Sequence, residues 1–458
     1  MTSESLDDNQ ALDGAIVPTF LKYLLPSLVG LIAMTSASLV DGIFIGNYVG
    51  ITALAAVNLI IPITTLLFGV GMMLSIGGSV RAGKYLGEGN LAAASAIFSK
   101  TLMFVAFYGV IVISLGLVFE AQLFAGVGAT EELFPVMGEY YRIILPFLFA
   151  QLIVIVQYFF IRMDGFPNLA AAALAIGSAI NIALDYLFIA VYDWGLTGAA
   201  LATGLSQAVP MFVMLVYFLR PERKLHFKFR QNNWKEVLQA AYNGISEFIN
   251  EISGAIIAFI FNWMLIQRAG VSGVAAITVV NYLLFIGFMM FFAISDTIQV
   301  MISQNFGARK AERISAFLKT ASVTIALLSI VLIAVLTTSS ETLINLFVDE
   351  SNSVETVALA NEFVTYVWPL FLFAGFNMLM SGYLTAIHLP FQSGLVALCR
   401  SLLLPVGFGV LFYFMWSDYY FVVALSIAEG LTFVLALTIF LRHRPSRLFP
   451  AINSRAPH

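Results

Sequence analysis

Acidic side chains inside long apolar stretches are the residues of this sequence whose chemistry stands out. Six of them have mainly apolar neighbours: Asp41, Asp185, Glu247, Glu251, Asp296 and, as a weaker candidate, Glu429. An ionised carboxylate is costly in hydrocarbon, so such residues mark sites for protons, cations or a polar ligand. These acids therefore predict handling of a proton or a cation.

Two of the acids belong to a predicted ion site. Asn181 and Asp185 are four residues apart, so both side chains lie on one face of a helix. Asp41 has a similar depth in its own apolar stretch, and Thr203 is a further oxygen donor near that level. Carboxylate and amide oxygens suit a proton or a hard cation such as Na⁺. We predict ion binding at this group, and the alternative is that each acid lines a wet cavity alone.

A second group of acids lies in the other half of the chain. Glu247 and Glu251 share a helix face at a spacing of four residues, and Asp296 follows in the next apolar stretch. Adjacent carboxylates in a low dielectric repel each other, and a proton or cation between them would relieve the repulsion. We predict secondary coupling or substrate binding here, with solvated acids near a cytoplasmic opening as the alternative.

Membrane-spanning helices must position these acids. Apolar residues make up 60% of the 458 residues and charged residues only 10%, with a mean hydropathy of +0.94. Soluble domains carry about 25% charged residues. A spanning helix needs about 20 mainly apolar residues. We therefore predict an all-α polytopic membrane protein with twelve transmembrane helices, near 18–46, 53–79, 94–118, 137–161, 168–191, 197–219, 240–266, 274–303, 315–337, 360–385, 391–414 and 419–441.

The predicted helices form two lobes joined by a basic connection. An acidic cytoplasmic tail (1–16) precedes the N-lobe (17–219), and a basic cytoplasmic linker (220–239) leads to the C-lobe (240–441), which a cytoplasmic tail (442–458) follows. The predicted helices place nearly all Lys and Arg residues, including Arg400, on the side of the membrane that holds the two termini. The exceptions are Arg142 and Arg268. This bias places both termini in the cytoplasm and the chain as a multi-pass protein in the cell (inner) membrane.

The two halves resemble each other. The stretch at 49–57 (VGITALAAV) matches the stretch at 269–277 (AGVSGVAAI), and the same offset along the chain takes Gly87 to Gly307. Farther along, a slightly larger offset takes Pro146 to Pro369, which a small insertion explains. Because six helices preserve the orientation, the repeats are parallel and related by an axis along the membrane normal.

The repeat assigns the first ion site to one half only. At the equivalent positions of the second half, Asp41 becomes Phe261 and Asp185 becomes Phe408. The ion site predicted around Asp41 and Asp185 therefore has no counterpart in the second half.

Three stretches of the sequence resemble the multidrug and toxic compound extrusion (MATE) transporters of prokaryotes: LPSLVG…SASLVDGIFIGNYVGITALAAVNLIIPI, GFPNLAAAALAIGSAINIALDYLFIAVYDWGLTGAALATGLSQ and NFGARK. The resemblance covers nearly the whole chain. It implies a secondary active antiporter that exports organic, cationic or amphipathic compounds by alternating access, coupled to H⁺ or Na⁺. The matching subgroup relies on first-lobe carboxylates.

The resemblance also implies roles for individual residues. The coupling site of the family falls on Asp41, Asn181, Asp185 and Thr203, with Na⁺ binding at the first three as one option. In the fourth helix this chain has Gln157 where an asparagine is expected, and a secondary role in coupling or substrate binding is assigned to it.

Pro26 lies in the middle of the first predicted helix. A proline removes a backbone hydrogen bond there and favours a bend, which could move Asp41. A static kink is the alternative.

Other classes of function fit less well. A flippase-like exporter of an amphipathic metabolite or a lipid-linked precursor is the alternative, although few Lys or Arg residues stand within the spans. The sequence lacks a Walker loop, a paired His motif and a nucleophile elbow, so we expect no enzyme. We expect no cofactor besides the coupling ion. The expected partners are small organic substrates and membrane lipid, not nucleic acid, and we expect a monomer.

Overall fold

The computed structural model describes residues 9–228, 234–345, 354–416 and 418–449. Eleven helices in these ranges are long and apolar enough to cross a membrane. We label them in chain order α1 (Ile16–Val49), α2 (Thr52–Gly87), α3 (Leu91–Val118), α4 (Glu131–Met163), α5 (Pro167–Val191), α6 (Gly195–Leu219), α7 (Ile245–Gly307), α8 (Ala311–Thr338), α9 (Val354–Ala386), α10 (Pro390–Met415) and α11 (Tyr419–Arg442).

Helix α7 accounts for two crossings. It is 63 residues long, and Gly270 interrupts its helical backbone with φ 60° and ψ −149°. Glycine adopts a positive φ without the steric cost that a Cβ would bring. Since a crossing takes about 20 residues, each side of Gly270 is long enough for one. The predicted fold class, an all-α membrane protein with twelve transmembrane helices, is confirmed.

Several helices extend beyond their predicted ends. Helix α2 was predicted over 53–79 but continues to Gly87, past Arg81 and Lys84. Hydropathy locates the apolar layer, whereas the backbone hydrogen bonds continue into the polar surface, where long basic side chains reach water. The predicted ranges therefore describe the apolar cores of the helices.

Backbone contacts divide the chain into two compact units. The first contains Leu21–Gly83 and Asn90–Phe259, and the second contains Lys84–Gly89, the chain from Ile260 onward and the N-terminal segment that ends at Phe20. In the first unit, α4 is the most buried helix and packs against α3, α5 and α6. The division falls within α7, and the lobe boundaries drawn at 17–219 and 240–441 stay a prediction.

The predicted linker is anchored to the first unit at one end. Asp164 Oδ2 accepts hydrogen bonds from the Tyr217 hydroxyl (2.5 Å), the Lys224 amide (2.7 Å) and the Leu225 amide (3.3 Å). Burial raises the pKa of the Asp164 carboxyl above its usual range, while these three donors favour its ionised form. The other end of the linker is the start of a short helix, Trp234–Asn243.

Arg400 is not a residue of the cytoplasmic face, so that part of the charge assignment is wrong. It lies about ten residues after the start of α10, at a depth of about 15 Å along the helix. Its Nε atom donates to Glu429 Oε1 at 2.8 Å. A count of Lys and Arg along the sequence does not detect a partner on a distant helix, which is why the assignment failed.

Gly87 and Gly307, which the repeat aligns, lie where two helix backbones are in close contact. A Cβ atom on Gly87 would lie 1.9 Å from the Gln304 carbonyl oxygen, and one on Gly307 would lie 2.0 Å from the Lys84 carbonyl oxygen. Lys84 and Gln304 are themselves equivalent positions of the repeat, at the same offset as the two glycines. The two backbones therefore approach each other through a reciprocal pair of glycines.

We expect Gly307→Ala to lower the stability of the protein by about 1–3 kcal/mol, because the added methyl group collides with backbone atoms. The measurement is the temperature of thermal unfolding in detergent. Gly254→Ala, also in α7, is the matched control, because a Cβ there meets no atom within 4 Å. Equal unfolding temperatures for the two variants would contradict the close contact.

Candidate functional site

Asp41 and Asp185 stand where two helices change their winding. The regular part of α1 ends at Phe44 and passes into the π-helical turn Ile45–Val49. Asp185 is the last residue of the regular part of α5, before the π-helical turn Tyr186–Val191. The two π-helical turns pack against each other. Such turns are frequent at functional sites, and here they bring two acids together.

The two carboxyl groups face each other in the interior of the first unit. The Thr203 hydroxyl donates to Asp41 Oδ1 at 3.3 Å. Asp185 is 0% exposed, and neither of its oxygens accepts a hydrogen bond from the described residues. The structure thus brings Asp41, Asp185 and Thr203 together, while their role in coupling stays a prediction.

Tyr140 is a residue of this group that the sequence reasoning missed. It comes from α4, is buried, and its phenol lies beside Asp41, Asp185 and Thr203. A tyrosine in an aromatic-rich helix carries no spacing signal that separates it from packing residues. Only its position near the start of the fourth helix could have indicated a contact with Asp41.

The amide residues of the prediction have different positions. Asn181 is buried one helical turn before Asp185 on α5. Gln157 donates from Nε2 to the Met211 carbonyl at 3.4 Å, and it follows Tyr140 on α4 by a length of about 25 Å. Gln157 therefore cannot complete an ion site at Asp41 and Asp185, and its secondary role stays a prediction.

The second predicted group of acids is divided between the units. Glu247 is buried and Glu251 is half-buried in the first unit, where the Glu251 Cβ would lie 3.3 Å from a Cβ on Gly69. Asp296 is buried in the second unit. Their functional role stays a prediction. Helix α1 is continuous through Pro26, and the bending role of this proline is likewise a prediction.

The groups around Asp41 have the chemistry that a proton or a monovalent cation would need. Two carboxyls, a hydroxyl and a phenol lie close together, and all four groups offer oxygen atoms. Two ionised carboxylates side by side repel each other in a low dielectric. A proton or a Na⁺ ion between them removes this repulsion, so the protein with an occupied site is more stable.

Twelve membrane crossings, an internal repeat and an acid pair in the first half are features of membrane transporters. The comparisons with known proteins agree with this class. A model of the MatE family matches residues 26–187 and again residues 248–411. The separation of these two matches along the chain agrees with the offset of the internal repeat. The chain therefore belongs to the MatE family of transporters and is not an enzyme.

Individual relatives are distant in sequence but close in fold. The probable multidrug resistance protein YoeA of Bacillus subtilis (strain 168) is 25% identical over 375 residues, which are 77% of this chain and 77% of that protein. The multidrug export protein MepA of Staphylococcus aureus (strain MSSA476) is 22% identical over 399 residues, 86% of this chain and 87% of MepA. A crystal structure of MATE in complex with MaL6 has a TM-score of 0.89 at 24% identity, over 98% of this chain and 99% of that chain.

We expect cations to stabilise the protein through the acid pair. Occupation of a site at about 100 times its dissociation constant raises stability by about 2.7 kcal/mol. In wild type, the unfolding temperature should therefore rise with Na⁺ or with falling pH. Asp185→Asn should flatten this response, because an amide beside Asp41 removes the repulsion.

Asp193→Asn is the matched control, since Asp193 is an exposed residue of the loop that follows α5. It should keep the wild-type response. The same cation response in Asp185→Asn as in wild type would contradict ion binding at the pair.

Proposed function

We propose that the chain is a secondary active antiporter that exports organic compounds, cationic or amphipathic, in exchange for H⁺ or Na⁺. Membership of the MatE family supports transport. The names of YoeA and MepA, a probable multidrug resistance protein and a multidrug export protein, support organic compounds as cargo. The observation that carries the coupling is the pair formed by half-buried Asp41 and buried Asp185, with Thr203 beside it.

In this proposal the acid pair is the coupling element. Asp41 and Asp185 bind the ion, Thr203 and Asn181 add oxygen ligands, and Tyr140 closes the site on the α4 side. An empty pair carries negative charge that favours a cationic substrate, and an occupied pair does not. The ion and the substrate therefore compete, and alternating access turns this competition into exchange.

The proposal assigns the coupling to the first half of the chain. At the repeat-equivalent position of Asp41, Phe261 is buried and its ring centroid lies 6.1 Å from that of Phe421. At the position of Asp185, Phe408 packs against Phe412 with 5.6 Å between centroids. Aromatic packing in place of the acids supports a subgroup that relies on first-lobe carboxylates.

The surroundings of the protein are part of the same proposal. The Lys and Arg bias supports both termini in the cytoplasm and a place in the cell (inner) membrane. We propose a monomer in contact with membrane lipid. The names of YoeA and MepA do not favour the alternative cargo, an amphipathic metabolite or a lipid-linked precursor.

The test is transport in proteoliposomes. A fluorescent organic cation is loaded, and a pH gradient or a Na⁺ gradient is imposed separately. Wild type should move the cation under one of the two gradients, which identifies the ion. Asp41→Asn and Asp185→Asn should each reduce gradient-driven transport by about tenfold or more, which corresponds to about 1.4 kcal/mol. The reason is that an amide neither takes up a proton nor balances the charge of a bound cation.

Asp193→Asn, an exposed loop variant, should transport like wild type. Undiminished transport by both site variants would shift the coupling to Glu247, Glu251 and Asp296. Absence of transport under either gradient, with folded protein, would contradict the antiporter itself.

A further inference from the structure

Arg400 and Glu429 form an ion pair inside the second unit. The Nε–Oε1 distance is 2.8 Å, and the two side chains are only 12% and 8% exposed. Each residue lies about ten residues, or about 15 Å, from the start of its helix, α10 or α11. Since the apolar layer is about 30 Å thick, the pair lies near its middle.

Two further side chains complete this cluster. The Asn377 amide on α9 donates to the Glu429 carbonyl at 2.9 Å and to Glu429 Oε2 at 2.7 Å. Asn377 is 0% exposed, and its Oδ1 has no hydrogen-bond partner among the described residues. The guanidinium carbon of Arg400 lies 5.4 Å from the centroid of the Phe288 ring, which favours a cation there.

The groups beside the Arg400 charge include ones that can bind a cation. Glu429 offers its carboxylate to Arg400, and Asn377, which donates to that carboxylate, carries an amide oxygen that accepts no hydrogen bond from the described residues. In the described chain, Arg400 is the charged group that interacts with Glu429, and Asn377 is its polar neighbour. The site around Asp41 and Asp185 also offers carboxylate oxygens, but among the described residues no guanidinium interacts with them in this way.

We propose that Arg400 is a built-in cation that occupies a carboxylate–amide site formed by Glu429 and Asn377. A tethered guanidinium does not exchange with the medium, so this second site binds no mobile ion. The inference deepens the proposed function, because it explains why only the first half couples transport to an ion. It also assigns Arg400 as the residue that keeps the second cation site closed.

Removal of Arg400 should open the site. Breaking a buried ion pair leaves an uncompensated carboxylate, which hydrocarbon does not tolerate. A proton or a small cation such as Na⁺ then takes the place of the guanidinium. A merely structural ion pair makes a different prediction, namely a loss of stability that is the same in Na⁺ and in choline.

The experiment uses the full chain with Asp41→Asn and Asp185→Asn as the background, so that the first site is silent. Three variants are made in it: Arg400→Gln, Arg400→Lys, and Arg400→Gln combined with Glu429→Gln. The unfolding temperature is measured against Na⁺, with choline at constant ionic strength as the control, and separately against pH.

The Arg400→Gln variant should gain a rise in unfolding temperature with Na⁺ or with falling pH that the background lacks. A rise with Na⁺ at fixed pH identifies a sodium site, and a rise with acid alone identifies a proton site. Arg400→Lys, which keeps a tethered charge, and the double variant, which lacks the carboxylate, should both show the flat response of the background.

A flat response of folded Arg400→Gln, or a rise that persists in the double variant, would overturn the proposal. If a variant is too unstable to purify, a second measurement tests the same proposal in membranes. Dicyclohexylcarbodiimide, which modifies protonated carboxyls in apolar surroundings, is applied to membranes and the labelling is read by mass spectrometry.

Glu429 should be labelled in Arg400→Gln and not in the background that keeps Arg400, and Na⁺ should protect it if Na⁺ is the ion. Equal labelling in both proteins would contradict a closed site. Because the background lacks the first acid pair, this result is independent of whether the proposed antiport holds.

Discussion

A carboxylate held in hydrocarbon has to be neutralised, and this requirement explains the most informative contacts of the chain. Asp41 and Asp185 face each other with oxygen atoms around them, and in our proposal an exchangeable proton or cation supplies the neutralising charge. Glu429 has its cation within the protein, in Arg400. The same chemical problem therefore has an open solution in one half of the chain and a closed one in the other.

The backbone makes these arrangements accessible. Regular α-helices crossing side by side keep their axes about 8–10 Å apart, so close contacts need special residues. The π-helical turns after Asp41 and Asp185 change the winding where the two acids meet. Gly87 and Gly307 allow a backbone approach that a methyl group would prevent. The π-helical turns thus follow the two acids, and the close backbone contact lies at the glycines that the internal repeat aligns.

Much of this could be predicted from the sequence, because hydrocarbon imposes a strong rule on composition and length. The apolar stretches predicted twelve crossings, and the intramembrane acids predicted Asp41 and Asp185 as a pair. Tyr140 and the partner of Arg400 were missed because both depend on which helix faces which, and apolar periodicity carries little of that information in a membrane. Gln157 was considered because the resemblance suggests a polar residue in the fourth helix. Its position along α4, far from Tyr140, separates it from the two acids.

The most direct test of the account is whether substrate binding expels the coupling ion. Purified wild type in weak buffer receives an organic cation, and proton release is followed while its affinity is measured with and without Na⁺. By linkage, a competing ion must lower substrate affinity to the same degree that substrate lowers ion affinity. The account predicts proton release or a Na⁺-dependent loss of affinity in wild type, and neither in Asp41→Asn with Asp185→Asn. Substrate binding that is indifferent to both ions in wild type would contradict it.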